Sequence, residues 1–186
     1  MSKLRLFFAL ESHPEQSAAL VARAAPLIEQ LQAQRVPPEN LHATLCFMGF
    51  VVPEKLDRLR AVAANLRGSH ATLSFDAFEH WERPKIVCAT ASESIAALPA
   101  RELALLLGSA SLEAGFTPDI KPFRAHLTLA RKVRRVRAAQ IEWPLAISPP
   151  VHVHCERFVL MQSQSGETGS IYSVVDSWPL YADEVE

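Results

Sequence analysis

The sequence predicts an α+β fold of two pseudo-symmetric lobes, in which antiparallel sheets are flanked by helices and an active-site cleft lies between the lobes. Alternating strand and helix patterns come first and runs of strands follow, an order that favours antiparallel sheets over a doubly wound parallel sheet. The motif His-x-Thr-Leu occurs once in each half, at 42–45 and 126–129. With 186 residues, 49% of them hydrophobic, the chain can bury the core of a single bilobal domain, which we expect to span 1–186.

The chain begins with a strand, a helix and a second strand. Residues 3–10 alternate large apolar residues with other side chains, which is the pattern of a strand. A helix is expected next, because Ser12 and Glu15 have the spacing of a capping box and apolar residues then recur at helical spacing. Pro26 is expected to kink or divide this helix. Residues 41–48, which contain the first motif, are expected to form a strand.

The middle of the chain predicts a helix, two strands and another helix. Pro53 opens the first of these helices, and Gly68 is its natural stop. Residues 71–79 and 85–91 are expected to form two strands joined by a tight turn. Residues 98–114 are rich in alanine and leucine and predict a third helix.

The last third of the chain is dominated by strands. Residues 124–130 contain the second motif and predict a strand. Three further strands are expected near 141–147, 151–162 and 170–176, and Ser165-Gly166 is a turn signal before the last of them.

Composition places few limits on partners. The net charge is −1 at pH 7, so a surface for nucleic acid could only be a local basic patch. The three cysteines are odd in number, lack metal-ligand spacing and lie in apolar segments, which predicts buried free thiols in a reducing compartment. No signal peptide and no stretch long enough to cross a membrane are evident. We therefore expect a cytoplasmic protein without a membrane partner, and a monomer by default.

The repeated motif carries the chemistry. Side chains alternate between the two faces of a strand, so His42 and Thr44 share one face, as do His126 and Thr128. A single histidine in an apolar strand is usually a hydrogen-bonded core residue, but packing needs no repeated pair, and burying two imidazoles is costly. If the strands face each other, two imidazoles and two hydroxyls meet across one cleft. Imidazole has a pKa of about 6.5, which suits acid–base chemistry on a phosphate ester.

Four segments extend the similarity beyond the motifs. They are Arg5–Leu10, Asn40–Gly49, Phe123–Arg131 and Tyr172–Leu180. Together they resemble the 2H phosphoesterase superfamily, and most closely its RNA 2′,3′-cyclic phosphodiesterases, which are also called 2′-5′ RNA ligases. The resemblance covers nearly the whole chain. Two positions depart from the family pattern: Ala125 replaces a frequent proline, and Phe50 replaces a frequent acidic residue.

The resemblance implies an enzyme that hydrolyses terminal 2′,3′-cyclic phosphates on RNA ends or oligonucleotides, with no metal and no cofactor. His42 is implied to protonate the leaving 3′ oxygen and His126 to activate water, which leaves a 2′-phosphomonoester. Thr44 and Thr128 are implied to contact non-bridging oxygens, and Arg131 to bind the phosphate. One histidine must be protonated while the other is neutral, so we expect a bell-shaped pH–rate profile. In reverse, with an RNA 5′ hydroxyl replacing water, the same chemistry gives a 2′-5′ bond.

Arg131 poses a geometric question. It lies an odd number of positions after His126, so in a regular strand it points away from the cleft. It reaches the cleft only if the strand ends or bulges near Ala130. Arg131 also begins a basic cluster, which forms either a solvated loop or a track for the RNA backbone. The cluster consists of Arg131, Lys132, Arg134, Arg135 and Arg137.

Several alternatives remain open from the sequence. A 2H enzyme can act on another cyclic or 2′-5′ linked nucleotide, and a nucleotide- or RNA-binding module can keep the fold without turnover. His152 and His154 share a strand face at a spacing that could bind zinc, but no further ligands complete a site, and surface histidines on an edge strand explain them better. Three aromatic residues could stack on a terminal base or belong to the core. They are Phe47, Trp81 and Phe123.

Overall fold

Two antiparallel sheets frame the molecule, as seen in a computed structural model that describes residues 3–166 and 170–182. The strands are β1 (Leu4–Glu11), β2 (Gln34–Arg35), β3 (His42–Val51), β4 (Ala71–Trp81), β5 (Ile86–Ala91), β6 (His126–Arg131), β7 (Leu145–Cys155), β8 (Arg157–Ser165) and β9 (Ser170–Pro179). The helices are α1 (Pro14–Leu31), α2 (Leu56–Ala64), α3 (Leu98–Glu113) and α4 (Arg135–Ala138).

The first sheet has the strand order β3-β1-β8-β9, and the second has the order β2-β6-β5-β4-β7. Neighbouring strands in both sheets run antiparallel. The two motif strands, β3 and β6, therefore belong to different sheets. This arrangement confirms the predicted α+β fold with antiparallel sheets and flanking helices.

The first sheet is buried on both faces at its centre. Leu6, Phe8 and Leu10 of β1 are fully buried in the main core. Phe7 and Ala9 point to the opposite face, where they form a second, smaller apolar cluster with residues of β8. The alternation in β1 thus gives the sheet one face for the core and one face that forms the floor of a cleft.

Helix α1 corrects two sequence expectations. It runs without a break from Pro14 to Leu31, so Pro26 does not divide it. Pro26 lies on the exposed side of the helix, where water can hydrate the carbonyl that loses its N–H partner. Ser12 does not cap the helix either: the residue at the cap is His13, and the buried Ser12 hydroxyl donates to the carbonyl of Leu41, 3.1 Å away.

Gly68 has a different role from the predicted one. Helix α2 ends at Ala64, before Gly68, and its cap is Asn65. At Gly68, a Cβ atom would lie 2.9 Å from Cδ2 of Leu180 and 3.3 Å from Cδ1 of Leu103. The glycine is therefore needed for close packing against these two buried leucines, and it does not terminate the helix.

The predicted strand over 151–162 is wrong, because it is two strands in two different sheets. Strand β7 ends at Cys155, β8 begins at Arg157, and the chain passes from the second sheet to the first at Glu156. The Glu156 carbonyl accepts a hydrogen bond from the N–H of Leu180 at 2.8 Å, which holds this crossing in place. The short elements β2 and α4 were not predicted, since two and four residues show no periodicity.

Helix α3 corrects the expectation about membrane spans. The segment Ile95–Glu113 is long and apolar enough to cross a bilayer by length and composition alone. One side of α3 is buried in the core, notably Leu103 and Leu107, and the helix contacts β3 and α2. Core helices of water-soluble proteins pass the same test, so this segment is weak support for a membrane location.

Candidate active site

Strand β3 presents the first motif as the alternation predicts. Ala43 and Leu45 are buried, whereas His42 and Thr44 are half-buried and line a cleft. His42 is the first residue of β3 and pairs with Glu11 of β1. The Ser12 hydrogen bond to Leu41 fixes the backbone immediately before it.

Strand β6 presents the second motif in the same way. Leu127 and Leu129 are buried, whereas His126 and Thr128 line the cleft. His126 is again the first residue of its strand, and it pairs with Thr90 of β5.

A bulge in β6 brings Arg131 to the cleft. Thr128 pairs with Cys88 and Ala130 with Val87, so Leu129 is an extra residue on β6. The extra residue lies one position before Ala130, near which a bulge was expected. It reverses the alternation of side chains along β6 and so turns Arg131 toward the motif side chains. Arg131 lines the cleft, and its Nη2 donates a 2.7 Å hydrogen bond to the Tyr172 hydroxyl on β9. Because β6 and β9 belong to different sheets, this bond crosses between the sheets.

The five side chains singled out from the sequence share one cavity of about 570 Å³. They are His42, Thr44, His126, Thr128 and Arg131. The cleft is also lined by charged and aromatic residues that the motif did not identify, among them Arg5, Phe7, Phe47, Trp81, Asp119, Lys121, Phe123, Arg124 and Tyr172. A signal for Arg5 was present in the sequence, because the alternation of β1 places it on the same face as Phe7. Nothing in the spacing pointed to Arg124 or Tyr172.

Each imidazole is held by a backbone carbonyl two residues before it. His42 Nδ1 lies 2.7 Å from the carbonyl oxygen of Asn40, and His126 Nδ1 lies 2.8 Å from that of Arg124. A carbonyl oxygen can only accept, so Nδ1 carries the proton in both rings. Nε2 is then the nitrogen that can give or take a proton in each case.

Burial favours the neutral form of both rings. The pKa of His42 is lowered to about 4, mainly by loss of water contact and in smaller part by Arg131 and His126, while the hydrogen bond to Asn40 opposes the shift. Burial also lowers the pKa of His126, with a further contribution from the Arg124 guanidinium. Both imidazoles are therefore largely neutral at pH 7 in the unliganded protein. An anion bound in the cleft would stabilise the protonated form and raise both pKa values.

Aromatic rings pack against each histidine. The His42 ring centre lies 4.9 Å from that of Phe7 and 5.0 Å from that of Tyr172. The His126 ring centre lies 4.5 Å from that of Trp81. Of the three residues considered for base stacking, Phe47 has the most open ring in the cleft, at 45% exposure.

The basic cluster that begins at Arg131, the last residue of β6, does not form one continuous surface. Arg131 turns into the cleft and bonds Tyr172, Arg135 pairs with Glu82 at 2.8 Å, and Arg137 donates to Gln32 at the end of α1 at 2.6 Å. These three side chains thus point to three different parts of the molecule.

The two histidines on β7 that were considered as zinc ligands form hydrogen bonds with hydroxyl groups of β4. His152 Nδ1 is 2.8 Å from the Ser74 hydroxyl, and His154 Nδ1 is 3.1 Å from the Thr72 hydroxyl. Within residues 3–166 and 170–182, no three His, Cys, Asp or Glu side chains are grouped so that they could hold a metal ion. The pair on β7 therefore lacks the further ligands that a zinc site needs.

The cysteines are buried thiols, as predicted. Cys46 lies at the cleft, where burial and the nearby Asp119 carboxylate raise its pKa to about 11. Because a thiol with this pKa is protonated at pH 7, Cys46 is a poor nucleophile there.

Comparison with known proteins places the chain in a family. Residues 13–167 match the 2′-5′ RNA ligase superfamily. The RNA 2′,3′-cyclic phosphodiesterase of Escherichia coli is 26% identical over 95% of this chain and 96% of its own length. The enzyme of the same name from Thermus thermophilus is 30% identical over 95% of this chain and 90% of its own length.

The fold comparison agrees. The crystal structure of E. coli LigT complexed with 3′-AMP superposes with a TM-score of 0.80 and 25% identity, and the match covers 96% of this chain and 98% of LigT. The paired histidine strands, the two antiparallel sheets and a family match over most of the sequence lead to one conclusion: this chain belongs to the 2′-5′ RNA ligase superfamily.

Proposed function

We propose that this protein is an RNA 2′,3′-cyclic phosphodiesterase that uses His42 and His126 as its acid–base pair. The observation that carries the proposal is the convergence of both motifs and Arg131 on one cleft, with Nδ1 of each histidine bound to a backbone carbonyl. The relatives named RNA 2′,3′-cyclic phosphodiesterase and the LigT complex with 3′-AMP support a terminal RNA phosphate as the substrate.

The reaction is a single in-line displacement at phosphorus. Nε2 of neutral His126 takes a proton from water as the water oxygen bonds to phosphorus. The bond from phosphorus to O3′ breaks, and Nε2–H of protonated His42 gives its proton to O3′. The phosphate remains on O2′, so the product is a 2′-phosphomonoester.

The remaining cleft residues stabilise charge. The hydroxyls of Thr44 and Thr128 donate to the non-bridging oxygens, on which negative charge accumulates in the transition state. Arg131, fixed by its hydrogen bond to Tyr172, presents a cation to the same oxygens. Two imidazoles supply both proton transfers, so we propose a metal-independent reaction. With an RNA 5′ hydroxyl as nucleophile in place of water, the same steps form a 2′-5′ bond.

The direct test is the hydrolysis of a short RNA that ends in a 2′,3′-cyclic phosphate, measured in EDTA with identification of the terminal phosphate. We expect the wild type to release a 2′-phosphate and His42→Ala and His126→Ala to lose at least about a hundredfold in kcat, the lower range for acid–base groups. His152→Ala is the matched control, because this histidine is exposed and lies on β7, bonded to Ser74. We expect it to keep wild-type activity.

Other outcomes would replace the proposal with a specific alternative. Turnover of a nucleoside 2′,3′-cyclic phosphate or a 2′-5′ linked dinucleotide, without turnover of the RNA, would indicate a different substrate for the same residues. Binding of the RNA without hydrolysis would indicate a binding module. Loss of activity in EDTA and in His152→Ala, but not in His42→Ala, would indicate a metal hydrolase.

A further inference from the structure

We infer that Glu79 is a positioning residue for His126, which it holds in place through Trp81, Arg124 and Thr90. This inference rests on the proposed role of His126 in catalysis. Glu79 lies on β4 in the second sheet and is not among the residues that line the cleft. It therefore acts through its neighbours.

The Glu79 carboxylate accepts three side-chain hydrogen bonds. Oε2 accepts from Nε1 of Trp81 at 2.9 Å. Oε1 accepts from Nη2 of Arg124 at 2.5 Å and from the hydroxyl of Thr90 at 3.1 Å. The carboxylate is about three-quarters buried, with 23% of its side chain exposed. A partly buried anion with three donors, one of which is a guanidinium, is strongly held in place.

Each of the three donors belongs to a residue that adjoins His126. The indole of Trp81 packs against the imidazole, with ring centres 4.5 Å apart. Arg124 supplies the carbonyl that fixes Nδ1, and its guanidinium lies 5.2 Å from the Trp81 ring centre. Thr90 is the cross-strand neighbour of His126 on β5. One carboxylate thus binds the side chains of three residues that adjoin His126.

Glu79 also balances charge beside His126. Burial opposes ionisation of Glu79, but the hydrogen bonds from Trp81 and Thr90 and the charge of Arg124 lower its pKa below the usual value. The charged groups that act on His126 are Arg124, in the loop before β6, which disfavours the imidazolium, and Glu79 on β4, which favours it. His42 on β3, across the cleft, and Arg131 at the other end of β6 line the same cavity as His126. Without the Glu79 carboxylate, the Arg124 guanidinium would lower the pKa of His126 without this opposing charge.

The test compares Glu79→Gln, which removes a negative charge near His126, with Arg124→Gln, which removes a positive one. Glutamine has nearly the size of glutamate but no charge, so we expect the pKa of His126 to fall in Glu79→Gln and to rise in Arg124→Gln. The pKa is measured by NMR titration of the imidazole Cε1–H signal, assigned through His126→Ala. Loss of fold alone would not move the pKa in opposite directions in the two variants.

Kinetics provide the second readout. For Glu79→Gln we expect kcat to fall about tenfold to a hundredfold, the range for a misplaced catalytic group, with KM changed less than about threefold. Glu79→Asp restores the charge but not the reach, so it should recover the wild-type pKa of His126 and not the full kcat. Glu156→Gln is the control, because it removes an exposed carboxylate that lies beside His154.

The results separate this inference from the proposed function. If the wild type does not hydrolyse the RNA, the proposed function fails, and the His126 titrations still test the role of Glu79. If the wild type is active and Glu79→Gln matches it in kcat and in the His126 pKa, the inference is wrong. If Glu79→Gln does not fold, Glu79→Asp and Arg124→Gln decide the question: an unchanged His126 pKa in Arg124→Gln would overturn the inference.

Discussion

The two histidines differ more in their surroundings than in their own geometry. Both use Nδ1 to bond a carbonyl two residues back, so the backbone alone sets the tautomer. His42 lies among Phe7, Tyr172 and the Arg131 guanidinium, and its pKa is lowered to about 4. His126 lies beside Arg124 and Glu79, whose opposite charges partly cancel. The pair is therefore built from equal groups with unequal affinities for the proton.

The pH dependence follows from these pKa values. The proposed reaction needs one proton on the pair, and in the free protein this state lies between about pH 4 and the pKa of His126, which burial lowers below 6.5. Within that range the proton lies mainly on His126, so the reactive form, with the proton on His42, is a minor fraction of the singly protonated pair and follows the same pH dependence. Above that range the pair has lost its proton, and below it both rings are protonated. We therefore expect kcat/KM, which reports the free enzyme, to reach its maximum below about pH 6.5 and to fall on both sides.

The measurement is kcat/KM from about pH 4 to pH 9 at constant ionic strength. The kcat profile should lie at higher pH, because the bound phosphate raises both imidazole pKa values. A kcat/KM that keeps rising to pH 8 would contradict the assignment of two neutral imidazoles in the free cleft.

At the scale of elements, the local sequence pattern predicted which side chains share a face wherever one face of the strand is buried and the other is open. The alternation in β3 and β6 correctly put His42 with Thr44 and His126 with Thr128, because their neighbours are core residues. It could not place Arg131, whose direction depends on a bulge that only pairing with β5 reveals. Nor could it divide 151–162, since strand-forming residues continue on both sides of Glu156 and the break there reflects a change of sheet.

Gly68 gives a test at this scale. A Cβ there would meet Cδ atoms of Leu180 and Leu103, which are themselves 4% and 1% exposed and have little room to move. We expect Gly68→Ala to lower the free energy of unfolding by about 1–3 kcal/mol, the usual cost of overpacking. Chemical denaturation followed by circular dichroism measures it.

The matched control is Gly108→Ala in helix α3. There the nearest atom to an added Cβ is Cγ1 of Ile120, at 3.8 Å, an ordinary contact. Because alanine favours a helix over glycine, we expect this variant to gain about 0.5–1 kcal/mol. Equal effects of the two substitutions would show that Gly68 has no special packing role.

At the scale of the whole molecule, the cleft exists only because two sheets meet. His42 belongs to one sheet and His126 to the other, and the hydrogen bond from Arg131 to Tyr172 joins the two. The sequence could indicate that the two motifs act together, since their repetition has no packing reason. It could not indicate Tyr172, Arg124 or Glu79, because these residues approach the histidines only through contacts between distant parts of the chain.

The charge on the molecule sets how RNA is held. The net charge is −1, and four cations line the cleft, namely Arg5, Lys121, Arg124 and Arg131. Lys121 and Arg124 have carboxylate partners in Asp119 and Glu79. Across the part of the chain that the structure describes, Arg5 and Arg131 form no ion pair, so they can neutralise phosphates without first losing a carboxylate.

RNA binding is therefore expected to depend only weakly on salt. Each phosphate contact to a single strand contributes about −0.7 to the slope of log K against log salt, so two contacts give a slope of about −1.4. A continuous track along all five residues of the basic cluster that begins at Arg131 would give about −3.5. Fluorescence anisotropy with an RNA ending in a 2′-phosphate, measured between about 50 and 300 mM salt, distinguishes the two. A slope near −3.5 that becomes smaller in Lys132→Ala and Arg134→Ala would show that the RNA backbone follows the basic cluster. A slope near −1.4 that becomes smaller in Arg5→Ala would confine RNA recognition to the cleft.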